Sequence, residues 1–571
     1  MLSRHNTQRL GLLVAIDRPV HYALRITEHA SRILPSVARF TRLCLGLMLV
    51  TLLAACAREE PPADLVIVNG AEPGSLDPAT CTGLEELRIT MALWEGLMRV
   101  DPKTARPIPG LAERHEISGG GRIYTFHIRT NAAWSTGGRI TAHDFVYSWL
   151  RVLDPATASE YAGQLFYLRN AEAYYNRTIT DPAQVGVRAL DDSTLRVELT
   201  NPTAFFLDLC AFQTLSVVQR EVIERHGDGW MRVRPLPVSG PYQLESWRLN
   251  DRVRLRANPR YWDATNTHCQ VVDLLPTRSA STAFNLYEKR VVDVIWDKEL
   301  IPSELFPILR PRPDFQSFNY LATYFLRFNT TRPPFNDPRV RKALVMTVDK
   351  QRLVNKILQT GEPIASQFVP PGTANSRLTG GLPYDPEAAR QLLKEAGYPK
   401  GLGLRTIEYL FEAVSGGGGS VHSKIGVELQ QMWERELGDK VELRQMEKQV
   451  YLKAQRSLDY DVSRSSWIGD YNDPNTFLDL FRSNNGNNRT GWKNIRYDQL
   501  MDQASTLTDL ARRADLLGEA ETILVREEAP IAPLYYFSGF NYHNPVRVQG
   551  IHGNILDIHP INAIRVSKTD P

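Results

Sequence analysis

An α/β fold class follows from two kinds of segment that alternate along the chain and from the residues that bound them. RIYTFHIR over 122–129, TLRVEL over 194–199 and RVRLR over 252–256 repeat with a period of two, as half-buried strands do. Asp64–Asn69 (DLVIVN) is a short apolar run that also reads as a strand. Helical patterns cover 337–353, 385–396, 422–437 and 497–527. Asp385, Pro386 and Glu387 supply an N-cap, a proline at the first helical position and an acid in the first turn. Gly397 follows as a C-cap. Because strands and helices intermix, α/β lobes are expected, not an all-α or all-β molecule. Gly119–Gly121 precedes a strand and reads as a turn, and Ser415–Ser420 (SGGGGS) reads as a flexible loop.

The 571 residues are too many for one small core and suggest two to four domains. A chain 43% hydrophobic and 23% charged, with 10 Trp, 22 Tyr and 20 Phe, folds rather than staying disordered. The formal charge of +3 is concentrated at one end. Seven arginines stand against Asp17 and Glu28 in the first 56 residues, and the remainder is slightly negative. That balance carries no electrostatic footprint for nucleic acid. Of five cysteines, Cys44 and Cys56 lie in the N-terminal segment, so Cys81, Cys210 and Cys269 allow at most one pair. No CxxC and no Cys/His cluster with zinc spacing occurs, so neither a metal nor a cofactor is expected. G-x-S-x-G, H-E-x-x-H and the phosphate-cradling G-x-x-x-x-G-K-[ST] are all missing, which argues against an enzyme.

Leu43–Ala55 is an uncharged apolar run of 13 residues preceded by Arg39 and Arg42. It falls short of the roughly 20 residues that span a bilayer and fits the apolar region of a secretory signal. Its end, LAAC over 53–56, resembles the bacterial lipobox, in which the cysteine, here Cys56, is acylated and becomes the first residue. Residues 57–64 (AREEPPAD) read as a polar tether. The leading 38 residues are long for the charged region of such a signal: they are either an overcalled start or a true N-terminal extension.

Several motifs then occur in one order. Trp134–Trp149 (WSTGGRITAHDFVYSW) resembles the W-S-D-G-x-P-x-T-A-x-D-F-V-x-S-W stretch of the peptide-binding family 5 solute-binding proteins of ABC importers. Gly74–Pro78, Glu95–Leu97, Gly110–Glu113, Ser239–Tyr242, Asn258–Trp262 and Pro333–Arg341 match further segments. Arg464–Pro474 (RSSWIGDYNDP) is similar to the R-x-x-W-x-x-D-Y-N-x-P segment of the family's oligopeptide-binding members. The resemblance runs from about residue 64 to 537. It implies a two-lobed periplasmic binding protein-like fold (type II, cluster C) with an additional inserted domain. Carried over, 1–55 would be the lipoprotein signal peptide with its extension. Residues 56–95 would hold the tether and the start of lobe I, and 96–219 the inserted domain. Lobe I would continue over 220–320, lobe II would cover 321–537, and 538–571 would return to lobe I.

The resemblance also implies a site. A peptide is a zwitterion: its ammonium needs a carboxylate, its carboxylate needs a cation, and its backbone can pair with an extended protein segment. Asp470 matches the family's ammonium-binding acid, and Ser465, Ser466, Trp467 and Ile468 match the strand that pairs with the ligand. Arg464 and His422 match basic positions that meet the ligand carboxylate, directly or through water; alternatively Arg464 forms a structural salt bridge and His422 is exposed at a helix start. Trp467 and Tyr161 match pocket walls, and Leu84 lies near the N-terminal strand. Asp473 precedes Pro474 and reads as a turn opener. The chain departs from the family pattern at Gln455, where an arginine is usual, with Arg456 beside it. It also departs at Lys448, at Thr82, and at Ala322 and Ile468, which stand in place of two disulfide cysteines.

The expected function is capture of oligopeptides by hinge closure and delivery to the permease subunits of an ABC transporter. The protein is expected outside the cytoplasm as a membrane-anchored monomer. Three alternatives stay open: the same fold carrying another solute such as a murein peptide or a metal chelate, a ligand sensor, and an exported hydrolase.

Overall fold

The computed structural model describes residues 60–296, 300–413, 421–438 and 440–567. The apolar run, Cys56 and the Ser415–Ser420 loop lie outside the described residues. The α/β expectation holds. β1 (Leu65–Gly70) runs parallel to β10 (Val271–Pro276) on one side and β11 (Val294–Ile295) on the other. Leu65, Ile67 and Val68 are fully buried, which is why the strand is a continuous apolar run. β8 (Tyr242–Arg248) and β9 (Arg252–Ala257) form a hairpin that extends this half of the sheet from β10. β13 (Ile407–Glu412), β14 (Val441–Met446) and β15 (Val462–Ile468) build the other half.

β12 (Phe315–Phe328) and β16 (Ile531–His543) join the halves into one ten-stranded sheet, ordered β14-β13-β15-β12-β16-β11-β1-β10-β9-β8. Their register shifts twice, across Asn319/Thr323 and again between Tyr324 and Phe325. Phe315–Asn319 pairs with Ser538–Tyr542, Thr323–Arg327 pairs with Ile531–Tyr536, and Tyr320–Ala322 lies between. Within it, the Leu321 N–H donates to the Ile555 carbonyl at 2.7 Å, and the Leu321 carbonyl accepts from the Gly469 N–H at 2.7 Å. The sheet is covered on both faces here, since Tyr324 enters one apolar core with Tyr409 and Trp433, and Phe325 enters another with Phe368 and Phe477.

β2 (Met98–Val100) and β3 (Pro107–Pro109) make a short hairpin. It leads into a separate antiparallel sheet of β4 (Ala112–Ser118), β5 (Ile123–Ile128), β7 (Thr194–Glu198) and β6 (Val187–Asp191). The alternation read from the sequence is the burial pattern here: Tyr124, Phe126, Ile128, Leu195 and Val197 are buried around Trp149 and Phe206, while intervening residues face outward. Gly119–Gly121 turns between β4 and β5 with all three φ angles positive, as expected of a turn. No helix among the described residues is long and apolar enough to cross a membrane.

Two helical expectations are corrected. The pattern over 337–353 is two helices, Pro338–Met346 and Lys350–Leu353. Thr347 returns its hydroxyl to the Ala343 and Leu344 carbonyls, and Asp349 caps the second helix through the Arg352 N–H at 2.9 Å. The pattern over 497–527 divides into Ile495–Ser505 and Leu510–Thr522, the second capped by Asp509. Apolar periodicity continues across both breaks, while the capping acid restarts the backbone. The helix Pro386–Glu395 begins as read, with Asp385 accepting from the Ala388 N–H at 3.0 Å, and Gly397 follows at φ +96°.

Ala322 and Ile468 face each other directly in the β12–β15 register. Cys81, Cys210 and Cys269 are each free and buried. Burial pushes all three thiols well up, that of Cys269 to about 12, so at neutral pH they are poor nucleophiles. Reducing agent should therefore leave the melting temperature of the purified protein unchanged. A drop of the size that loss of a bridge causes, on the order of 2–5 kcal/mol, would reveal a disulfide among them.

Candidate functional site

β15 is the element from which the site is built. One edge pairs with β12 along its whole length, from Val462 opposite Phe328 to Ile468 opposite Ala322. The other pairs with β13 only at Val462 and Ser463. Successive backbone groups alternate between the two sides of a strand. Gly469, just beyond β15, points its N–H to Leu321 of β12, so Arg464, Ser466 and Ile468 direct theirs to the open edge. The Arg464 carbonyl is already taken, by Gln455 Nε2 at 2.9 Å and by the Tyr451 hydroxyl. Ser466 and Ile468 remain as an unpaired stretch of edge. Ser465 faces inward, buried, and accepts from Arg327 Nε at 3.0 Å.

The segment after β15 is held tightly. A Cβ on Gly469 would lie 2.6 Å from Leu321 Cδ2 and 2.9 Å from Thr476 Cγ2, so a side chain is excluded there. The Asp470 N–H donates to Thr476 Oγ1 at 3.1 Å. Tyr471 stacks on Phe205, 4.2 Å between centroids. Asn472 Oδ1 accepts from the Ala374 N–H at 2.9 Å. Asp473 meets Arg513 through two bonds of 2.8 Å, both groups buried, and also accepts from the Asn475 N–H. Asp473 thus has the structural role its position before Pro474 suggested. The Asp470 carboxyl, by contrast, has no donor among the described residues, and burial raises its pKa to about 6. Trp467, Tyr161 and Tyr167 line the same cavity of about 330 Å³ as Asp470. Tyr161 is braced edge-on against Phe212 at 5.1 Å. The buried Trp467 Nε1 has no acceptor.

Arg464 and His422 form a different cluster. Arg464 Nη1 is 2.6 Å from Glu412 Oε1, with its guanidinium 5.0 Å from the Tyr324 ring centre. His422 Nε2 lies 3.7 Å from the same oxygen, and its Nδ1 is 3.4 Å from the Tyr324 hydroxyl. Burial, reinforced by Arg464, pushes the His422 pKa down to about 3, so the imidazole is neutral at physiological pH. It is also buried, not exposed as its place at the start of helix Val421–Leu437 suggested. Glu412, at the end of β13, neutralises Arg464; no local sequence signal marks it, because the partners are 52 residues apart.

The remaining candidates lie apart. Leu84 opens helix Leu84–Leu93, exposed, beside Arg88 and Asp557. From that helix, Leu87 and Met91 reach a crevice with Asp470, and Leu84 does not. Arg456 is exposed at the end of helix Lys448–Arg456. Gln455 is buried and committed to Tyr451, Ser463 and Arg464. The Thr82 N–H donates to Glu86 Oε2 at 2.9 Å.

Residues 106–489 match the model of the bacterial extracellular solute-binding proteins, family 5. The probable deoxycholate-binding periplasmic protein of Escherichia coli (strain K12) is 35% identical over 501 residues, covering 84% of this chain and 90% of that one. The periplasmic oligopeptide-binding protein of Salmonella typhimurium is 35% identical over 482 residues, covering 83% and 87%. Among solved structures, a periplasmic murein tripeptide-binding protein in its unliganded open form superposes with a TM-score of 0.77 at 33% identity, covering 89% of this chain and 98% of that one.

An unpartnered, desolvated carboxylate makes a signed prediction. The Asp470 pKa is raised on folding, so its contribution favours the folded state at low pH and is lost as pH rises from about 4 through about 6. Asp470→Asn should raise the unfolding free energy of ligand-free protein at pH 8, by on the order of 1–3 kcal/mol, and leave it unchanged below about pH 4. Denaturant titrations at the two pH values check this.

Proposed function

We propose, for a chain that belongs to the bacterial extracellular solute-binding proteins of family 5, that it captures oligopeptides between its lobes and delivers them to ABC permease subunits. Membership makes it a binding protein and not an enzyme, with its work outside the cytoplasm. The observation that carries the peptide reading is the Asp470 carboxyl, half-buried, raised in pKa by desolvation and without a donor among the described residues, at the end of an open strand edge. A peptide completes both. Its ammonium is the missing counter-ion, and its backbone adds to Ser466 and Ile468 independently of its sequence. Trp467 and Tyr161 wall the first residues. Deoxycholate, named for one relative, has no cationic group to offer Asp470, so the geometry favours an amine.

The cations for the ligand's carboxylate are fewer than the resemblance implied. Arg464 is neutralised by Glu412 and His422 is neutral, so either reaches the ligand through water or after rearrangement of that cluster. The break in the β12–β16 ladder at Tyr320–Ala322 supports a hinge there, with lobe I over 56–95, 220–320 and 538–571, lobe II over 321–537 and the inserted domain over 96–219. Closure would shift population toward the state that ligand binds better. Leu43–Cys56 supports export and acylation at Cys56, which would tether a monomeric protein to a membrane.

The test of the site is a cycle of one tripeptide, free and N-acetylated, titrated calorimetrically into wild-type protein and Asp470→Asn. Removing one partner of an enclosed charge pair costs on the order of 2–5 kcal/mol, roughly 30-fold or more in affinity. Each single change should show that loss, and the double change should add little. Affinities within about threefold throughout, well short of the tenfold that 1.4 kcal/mol gives, would remove Asp470 as the ammonium site. For the anchor, Cys56→Ser should abolish acylation and release the protein from membranes. Unchanged fractionation together with an unchanged N-terminal mass would sink that reading.

A further inference from the structure

A second guanidinium stands at the far end of the open edge, where Arg464 is neutralised by Glu412. Arg489 Nη1 donates to Gln455 Oε1 across 3.4 Å, and Nε2 of the same amide is one of the donors on the Arg464 carbonyl. Arg489 Nη2 donates to Asn487 Oδ1 at 3.1 Å, and Asn487 lines the cavity that holds Trp467 and Asp470. Gln455 Nε2 also reaches Ser463 Oγ at 2.8 Å. Ser463, Ser465 and Trp467 share one face of β15, and Arg464 points to the other. Arg489 therefore stands on the Trp467 face, apart from the Arg464–Glu412 pair.

The backbone that carries Arg489 is held in place. Its φ is +49°, a region that side chains other than glycine seldom adopt unless their surroundings impose it. The Tyr460 hydroxyl donates to the Arg489 carbonyl, and the Thr330 N–H donates to the Thr490 carbonyl at 2.9 Å. No acid answers the guanidinium among the described residues. Both side chains that accept from it are neutral amides, and its Nε is buried without an acceptor. Burial, reinforced by the Arg456 charge, holds its pKa below the ordinary arginine value. Arg456, exposed at the end of helix Lys448–Arg456, has no ion pair among the described residues either. Two neighbouring cations without a counter-ion repel each other, and an anion arriving beside them relieves the repulsion.

The place is open to a ligand. Ile468 and Arg456 are exposed and Arg489 is half-buried, so a guest laid along the edge meets the guanidinium without entering a crevice. A guest whose ammonium is at Asp470 runs antiparallel to β15, from Ile468 back toward Arg464, and brings its carboxylate to this end. A guanidinium offers a carboxylate two parallel bonds.

We propose that Arg489, with Arg456 beside it, receives the terminal carboxylate of a peptide laid along β15, in place of Arg464. This rests on the reading that Asp470 holds the ligand's ammonium, because that contact sets the direction of the guest.

The test uses Ala-Ala-Ala-Ala as the free acid and as the C-terminal amide, both with a free amino end, titrated calorimetrically into the full-length protein and into Arg489→Gln. Wild-type protein should bind the acid about tenfold or more tighter than the amide. In Arg489→Gln the acid should weaken until the two peptides agree within about threefold, while the affinity for the amide stays as in wild-type protein. Arg489→Met, which keeps the apolar stem and removes the head, should give the same result and serves if the first variant does not fold. Equal affinities for acid and amide in wild-type protein overturn the proposal while leaving the peptide reading standing. A preference for the acid that survives both variants overturns the assignment to Arg489, and so does an equal loss of both peptides, which marks a structural role. If neither tetrapeptide binds wild-type protein, the peptide reading falls and this inference falls with it.

Discussion

One residue, Leu321, connects the architecture to the site. It lies in the three-residue gap of the β12–β16 ladder, where neither long strand satisfies the other. Backbone groups at that depth must be paired, and Leu321 finds partners in Ile555 on one side and Gly469 on the other. The second bond fixes the start of the segment that presents Asp470. By the alternation of the strand Leu321 faces β15 and not β16, so the Gly469 bond carries the β12–β15 register one residue beyond Ala322 and Ile468. The long strand that carries the chain from one half of the sheet to the other therefore also positions the Asp470 carboxyl.

Electrostatics separates that carboxylate from its neighbours. Buried acids elsewhere are supplied with donors. Asp473 has Arg513, Asp461 has Arg405 at 2.5 Å, and Glu521 accepts from the Phe368 and Val369 N–H groups. Burial alone is thus not distinctive; burial without a partner is. Asp470 and Asp208, each half-buried along one crevice, have no such donor among the described residues, and desolvation raises the pKa of both. In a folded chain, such a cost is tolerated where a ligand relieves it.

The strands were legible because a half-buried strand writes its burial into the order of its residues, as β5 and β7 do. Helix ends were less so. Asp385 announces itself with a following proline, while Asp349 and Asp509 sit inside apolar periodicity that runs on across them. The site was legible only through the resemblance carried by Arg464–Pro474, since nothing in a single sequence says that β15 loses its neighbour after Ser463. Partners distant in sequence decided the rest. Glu412 converts Arg464 from a ligand cation into half of an ion pair, while burial and the Arg464 charge leave His422 neutral. Asp208 lies in the short helix Phe206–Leu209 and Gln213 opens the helical turn Gln213–Leu215, and only the fold brings them to Asp470.

The capped end of β15 acts as a ruler. Both lone pairs of the Arg464 carbonyl are occupied, by Gln455 and Tyr451, so the edge stops there whatever approaches it. From Arg464 to Ile468 is about 13 Å of strand at roughly 3.3 Å per residue. An extended guest anchored beyond Ile468 meets that stop after about four residues, counted along the strand. Further units of the guest would have to bend out of register, losing main-chain bonds that do not depend on sequence. Length would then be discriminated by geometry alone, without any pocket that reads a side chain.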